Sequence, residues 1–106
     1  MADINISDRL SQEKQTITIK EGITFEVDCS AEAMIKAEEK FKKGADLNTM
    51  FEIIELLLVE KDALKIIKEM KLKAKNIETI VLAIMAQIQE IPFEEMEKRF
   101  RENTAE

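Results

Sequence analysis

The chain lacks the side chains on which most enzyme active sites depend. It contains no histidine, tryptophan or tyrosine, and its single cysteine is Cys29. Without histidine, a serine or cysteine nucleophile has no ordinary general base beside it. We therefore expect a non-enzymatic protein, with no catalytic residue and no cofactor.

Residues for metal and phosphate sites are equally scarce. One cysteine and no histidine give no zinc-ligand spacing, and residues 45–48 lack the alternating ligands and the glycine of a calcium loop. Gly22 and Gly44 are the two glycines and stand far apart, so no glycine-rich phosphate loop can form. The pairs Glu38-Glu39 and Glu94-Glu95 are adjacent on predicted helices and point in different directions. The sequence therefore predicts neither a metal site nor paired-carboxylate catalysis.

Cys29 admits two interpretations. It follows a predicted strand and precedes a predicted helix N-terminus, a position that can lower the pKa of a thiol. Free cysteine also packs commonly as a small, inert apolar residue. The second interpretation is favoured because no base or metal ligand accompanies the thiol, and the lack of a disulfide partner fits a reducing compartment.

Composition and charge restrict the class of partner. The chain has 106 residues, of which 45% are apolar, as expected for one folded domain with one modest core. The net charge of -6 disfavours nucleic acid, because phosphate neutralisation needs clustered lysine and arginine. The N-terminus lacks the layout of a signal peptide, and the apolar run 77–91 is shorter than the ~20 residues that span a bilayer. We expect a soluble intracellular protein that binds no nucleic acid and no membrane.

The N-terminal part of the chain predicts a flexible arm and then a β-hairpin. Residues 1–14 are mostly polar. Ile4 and Ile6 alternate with polar residues, so a short edge strand is an alternative for this part of the arm. Apolar residues then alternate with polar ones in Gln15–Lys20 and Ile23–Val27, the pattern of half-buried strands. Gly22 lies between them and tolerates the backbone of a tight turn.

Five short helices in orthogonal packing are predicted after the hairpin. Asp28 or Ser30 can cap the first, Asp46 or Asn48 the second, and Asn76 the fourth. Met34, Ile35, Ala37 and Phe41 are expected to face inward from the first helix. The sequence therefore predicts a mainly α domain over 15–101, with a frayed tail at 102–106. The predicted helices are 31–43, 46–60, 61–70, 77–90 and one that begins at Pro92.

The second predicted helix carries more apolar surface than one buried face needs. Its apolar residues cover roughly 220° of the helix, whereas a surface helix needs little more than about 100°. The helix is either central to the core or presents a second apolar face for self-association or partner binding. Phe51 and Leu58, together with Leu82 of the fourth helix, lie off the centres of the main apolar stripes. These three residues are the candidate partner-binding residues.

The stretch that follows is locally basic. Such a run most often forms a solvated helix face, and the alternative is a docking site for an acidic surface. Its six lysines are Lys61, Lys65, Lys68, Lys71, Lys73 and Lys75.

The order of these elements resembles the tail assembly chaperones of long-tailed, siphovirus-type bacteriophages, over roughly residues 15–101. A hairpin leads into a helix that ends in KKG at 42–44, and the next helix carries MFEIIELLL at 50–58. After the lysine-rich helix come NIETIVLAIMA at 76–86 and PFEEMEKRF at 92–100. The resemblance is one of layout, because the family has no catalytic signature.

The resemblance implies a non-enzymatic chaperone that binds the aggregation-prone tape measure protein until the tail tube polymerises around it. It also implies self-association into a homo-oligomer, with the tail tube protein as a further candidate partner. Such proteins act in the host cytoplasm and are not part of the mature virion. Many members also have a longer, frameshifted form, and this chain is expected to be the short one.

The alternative is a small helical phage regulatory or adaptor protein that acts through protein–protein contacts. A DNA reader needs a basic recognition helix with side chains aimed at the bases. Arginine occurs only at Arg9, Arg99 and Arg101, so direct DNA reading is disfavoured.

Overall fold

The described part of the chain is mainly α-helical, with an N-terminal β-hairpin followed by five helices. The computed structural model describes residues 2–10, 14–44 and 46–104. The predicted fold class is confirmed, and both strands have the predicted bounds. The elements are β1 (Gln15–Lys20), β2 (Ile23–Val27), α1 (Ala31–Phe41), α2 (Leu47–Leu57), α3 (Ala63–Glu69), α4 (Ala74–Gln89) and α5 (Phe93–Thr104).

The hairpin buries one face. β1 and β2 pair antiparallel, with Ile17 opposite Phe25, and Gly22 takes a positive φ of 84° in the turn. Ile17, Phe25 and Val27 are buried, whereas Thr16 is exposed, as period-2 patterning requires. The apolar face of the hairpin lies on α4, which also contacts α2 and α5.

α2 is shorter than predicted. The apolar pattern predicts a helix to residue 60, but the helix ends at Leu57, and Leu58 forms an isolated antiparallel bridge with Val27. The chain therefore becomes extended after Leu57 although the sequence stays apolar, because the outer edge of β2 offers hydrogen-bond partners to its backbone.

Hydrogen bonds hold this segment to β2. The Asp28 amide donates to the Leu57 carbonyl at 2.7 Å, and the Val59 amide donates to the Glu26 carbonyl at 2.9 Å. The Glu26 amide donates to both carboxylate oxygens of Glu60 at 3.1 Å. The outer edge of β2 is thus occupied by the chain's own residues.

α1 is also shorter than predicted, and one of the residues expected to face inward is exposed. It ends at Phe41 instead of residue 43, and Gly44 follows with a positive φ of 125°. Ala33 and Ala37 are buried against α2, but Ile35, which was expected to face inward, is 57% exposed. Ile35 lies two residues from each alanine, which places it on the opposite face of the helix.

The bounds of the last three helices differ from the prediction by a few residues. α3 is shorter than the predicted 61–70. α4 begins at Ala74, so Asn76 lies in its first turn and is not the cap. Glu90 ends α4 in the left-handed conformation, with the Ile91 amide on the Ala86 carbonyl at 3.1 Å, a Schellman-type end. α5 continues to Thr104, three residues past Arg101, where the sequence predicts fraying.

The core lies between α2, α3, α4 and the hairpin. Its largest fully buried side chains are Ile53, Ile54, Leu57, Ile67 and Ile84.

The N-terminal arm lies outside this core. Residues 2–10 are exposed and contain one 3-10 turn, Ser7–Arg9, so the edge strand left open for Ile4 and Ile6 is not formed. The exposed fractions are 84% for Ile4, 50% for Ile6 and 60% for Leu10.

Candidate partner-binding grooves

The three residues predicted to bind a partner do not form one exposed surface. Leu58 and Leu82 are 4% and 6% exposed, so the expectation that they lie outside the core is wrong. Leu58 is covered through its bridge to β2, and Leu82 lines a cavity where α1, α2 and α5 approach α4. Phe51 is half-buried, with Lys68 Nζ 5.0 Å from the centre of its ring. A partner role for Phe51 stays a prediction.

Central burial accounts for the wide apolar arc of α2. Met50, Ile53, Ile54 and Leu57 are all buried, because α2 packs against α1, α3 and α4. Leu47, at the start of the helix, is 42% exposed, and Phe51 and Leu56 are half-buried. The arc therefore does not present a second apolar face as wide as the sequence suggests.

A cavity of about 310 Å³ opens where α1, α2, α4 and α5 meet. We call it the methionine groove, because three of the six methionines of the chain line it. Methionine is unbranched and polarisable, so it adapts to apolar side chains of different shape. The lining residues are Phe41, Met50, Glu78, Val81, Leu82, Met85, Gln89, Met96, Arg99 and Phe100.

The rim of the methionine groove is polar and joins α5 to α4. Arg99 Nη1 donates to Gln89 Oε1 at 3.3 Å, and Arg99 Nη2 donates to Glu95 Oε1 at 3.1 Å. Among the side chains described in α5, only Met96 is buried. α5 therefore rests on α4 through the apolar contact of Met96 and a solvated polar rim.

A second groove follows the outer edge of β1 along α4. It comprises two cavities of about 410 Å³ and 280 Å³ that share Ile17, Thr18 and Ala83, and we call it the edge-strand groove. α4 contributes the stripe Asn76, Thr79, Ile80, Ala83, Ala86 and Gln87 to it. Met70 and Leu72 lie at one end, and Ile91 and Phe93 lie at the other.

The two grooves use different stripes of one helix. The edge-strand stripe follows helical spacing from Asn76 to Gln87, and the methionine-groove stripe runs from Glu78 through Leu82 to Gln89. Leu82, which the sequence places off the main stripe of α4 as a candidate partner-binding residue, lines the methionine groove, but neither groove was predicted as a cavity. The signal available in the sequence was its methionine content, which is typical of adaptable binding surfaces.

Cys29 does not have the surroundings of a reactive thiol. Its Sγ lies 3.7 Å from the Val27 carbonyl oxygen. Partial removal from water raises the pKa of Cys29, and the negative charges of Asp28, Glu90 and Glu26 raise it further. These effects oppose the lowering expected from a helix N-terminus and favour the structural interpretation.

The six lysines of residues 61–75 are all exposed, as for a solvated helix face. Their docking onto an acidic surface stays a prediction.

Within the ranges that the structure describes, no group of three or more cysteine or acidic side chains is placed to hold a metal ion. In the same ranges, no helix combines the length and apolar character needed to cross a membrane. Comparison with known proteins gave no match to a protein-family model, a curated protein or a solved structure.

Proposed function

We propose that this protein is a non-enzymatic phage tail assembly chaperone that binds and solubilises the tape measure protein during tail morphogenesis. It acts in the host cytoplasm and is left out of the mature virion. The observation that supports this proposal most is the methionine groove, a largely apolar cavity with a polar rim.

A tape measure protein is a long helical client, and a groove of this kind suits an amphipathic helix. The apolar face of such a helix presents side chains at i, i+3, i+4 and i+7. Met50, Met85 and Met96 can adapt to different apolar residues, so one groove can accept many segments of a long client.

Affinity then comes from repetition. Each buried leucine-sized side chain contributes ~1.5–3 kcal/mol, which is weak for a single groove. Many copies along one client, linked by self-association, add avidity without new contacts. The net charge of -6 keeps the free chaperone soluble.

The test is co-expression with a candidate tape measure protein, followed by pull-down and measurement of the soluble client. The variant is Phe100→Ser, because Phe100 is half-buried on α5 at the groove. The matched control is Ile35→Ser, an exposed apolar residue that lines neither groove. Thermal melting checks that both variants fold.

Wild-type protein and Ile35→Ser should keep the client soluble and co-purify with it. Phe100→Ser should weaken capture by about tenfold or more, since one lost aromatic contact exceeds ~1.4 kcal/mol. Failure of the wild type to bind any tape measure segment would overturn the proposal and favour the regulatory or adaptor alternative. Equal capture by folded Phe100→Ser would show that the groove is not the client site.

A further inference from the structure

The outer edge of β1 has backbone groups available for another strand. Thr16 lies opposite Glu26, whose amide and carbonyl both bond away from β1. Thr16 and Glu26 are therefore a non-hydrogen-bonded pair, in which the backbone N–H and C=O of both residues point away from the partner strand. Because this pattern repeats every two residues, the N–H and C=O of Thr18 also point outward. The Thr16 carbonyl accepts a hydrogen bond from Gln87 Nε2. No described residue outside the hairpin bonds the outward amide and carbonyl of Thr18.

An apolar channel runs beside this edge. Its floor is formed by the small side chains Ala83 and Ala86 of α4, with Leu72 towards one end and Phe93 towards the other. A strand added to β1 would therefore pair its backbone with Thr18 and lay alternate side chains into the channel. This is the arrangement used in recognition by strand addition.

The N-terminal arm has the properties that such a strand needs. Ile4 and Ile6 are two residues apart, so both side chains point to the same side of an extended chain. Both are exposed and take no part in the core of their own domain.

Length and charge match when the arm runs antiparallel to β1. The channel follows α4 from Asn76 to Gln87, about 16 Å at the helical rise per residue. Five residues, 3–7, cover about 17 Å when extended, which requires Ser7 to leave its 3-10 turn. Asp3 then lies at the end of the channel where Lys20 and Lys73 are exposed, and Arg9 lies towards Glu90.

We propose that residues 3–7 of one copy add as an antiparallel strand to β1 of a second copy, with Ile4 and Ile6 in the edge-strand groove. This contact assembles the protein into oligomers. It uses a surface separate from the methionine groove and needs no client, so its test is independent of the proposed function.

The experiment measures molar mass by light scattering after size exclusion, over a range of concentrations of the chain alone. The arm variant is Ile4→Asp with Ile6→Asp, which touches no buried residue. The groove variant is Ala83→Gln, and the matched control is Ile35→Asp. Thermal melting identifies any variant that fails to fold. If Ala83→Gln does not fold, the comparison of the arm variant with wild type and control is the test.

The mass of wild type and control should rise with concentration, whereas the arm variant should stay monomeric at concentrations about tenfold higher. The arm variant keeps its groove and the groove variant keeps its arm, so a mixture of the two should form a one-to-one dimer that neither forms alone. A wild type that stays monomeric at high micromolar concentration would overturn the proposal. So would an arm variant that associates like wild type, or folded variants whose mixture stays monomeric.

Discussion

At the scale of single residues, an apolar position on a helical wheel does not give its depth in the fold. Leu82 lies off the main stripe of α4 and is nonetheless buried, because α4 is covered by the hairpin, α2 and α5. Leu58 is buried because it leaves the helical pattern and pairs with β2. Both depend on neighbours distant in sequence, which periodicity cannot reveal. Ile35 is the converse, an apolar residue that was expected to face inward and is exposed.

Leu58→Ala should therefore destabilise the protein strongly. Removal of a buried leucine side chain costs ~2–5 kcal/mol through lost burial and the cavity left behind. Ile35→Ala should change the free energy of unfolding by less than about 0.5 kcal/mol, because its side chain is already in water. Denaturant unfolding of the two variants beside wild type measures both values. Similar losses for the two variants would contradict the burial assigned to Leu58.

At the scale of elements, the sequence predicts well what local forces decide. The hairpin has its predicted bounds because alternation and the Gly22 turn act over a few residues. Ser30 caps α1 and Asp46 caps α2, each from the candidates named, with amides of Ala33 and Thr49 as donors. The predicted end of α2 was wrong because β2, about thirty residues earlier, forms hydrogen bonds with backbone groups that would otherwise continue the helix.

The cap of α2 gives a pH-dependent prediction. The Thr49 backbone amide, and then the Thr49 side chain, lower the pKa of Asp46 from 3.8. Because the pKa of Asp46 is lower in the folded state, its ionised carboxylate stabilises the fold at pH values above the pKa of the unfolded state. This contribution is lost as the pH falls through the pKa of the folded state. Asp46→Ala should therefore lower the melting temperature at pH 7. The difference from wild type should shrink as pH falls below 3.8.

Asp62→Ala is the matched control for this cap. Asp62 occupies the N-cap position of α3 without a side-chain hydrogen bond to the helix. Its replacement should have a smaller effect at pH 7. Melting curves from pH 7 to pH 2.5 compare the two variants. An Asp46→Ala deficit that is the same at every pH would contradict the role assigned to the carboxylate.

At the scale of the whole molecule, α4 contributes to both grooves. One of its stripes lines the methionine groove, and another lines the edge-strand groove. The sequence predicted a helical contact protein, and the absence of histidine predicted one without ordinary catalytic machinery. It did not predict either groove, because each combines residues from elements far apart in the chain. Phe51 is the one proposed contact residue that remains partly accessible.

The central proposal is that the methionine groove binds the apolar face of an amphipathic helix of the tape measure protein. The methionines report on it directly, because Met50, Met85 and Met96 line that groove, Met70 lines the edge-strand groove and Met34 lines neither. The measurement is a proton–carbon NMR spectrum of protein labelled at its methionine methyl groups, recorded during titration with a helical tape measure segment. Binding in the methionine groove should shift the signals of Met50, Met85 and Met96 and leave those of Met34 and Met70 unchanged. No shift at saturating segment, or shifts confined to Met34 or Met70, would contradict it.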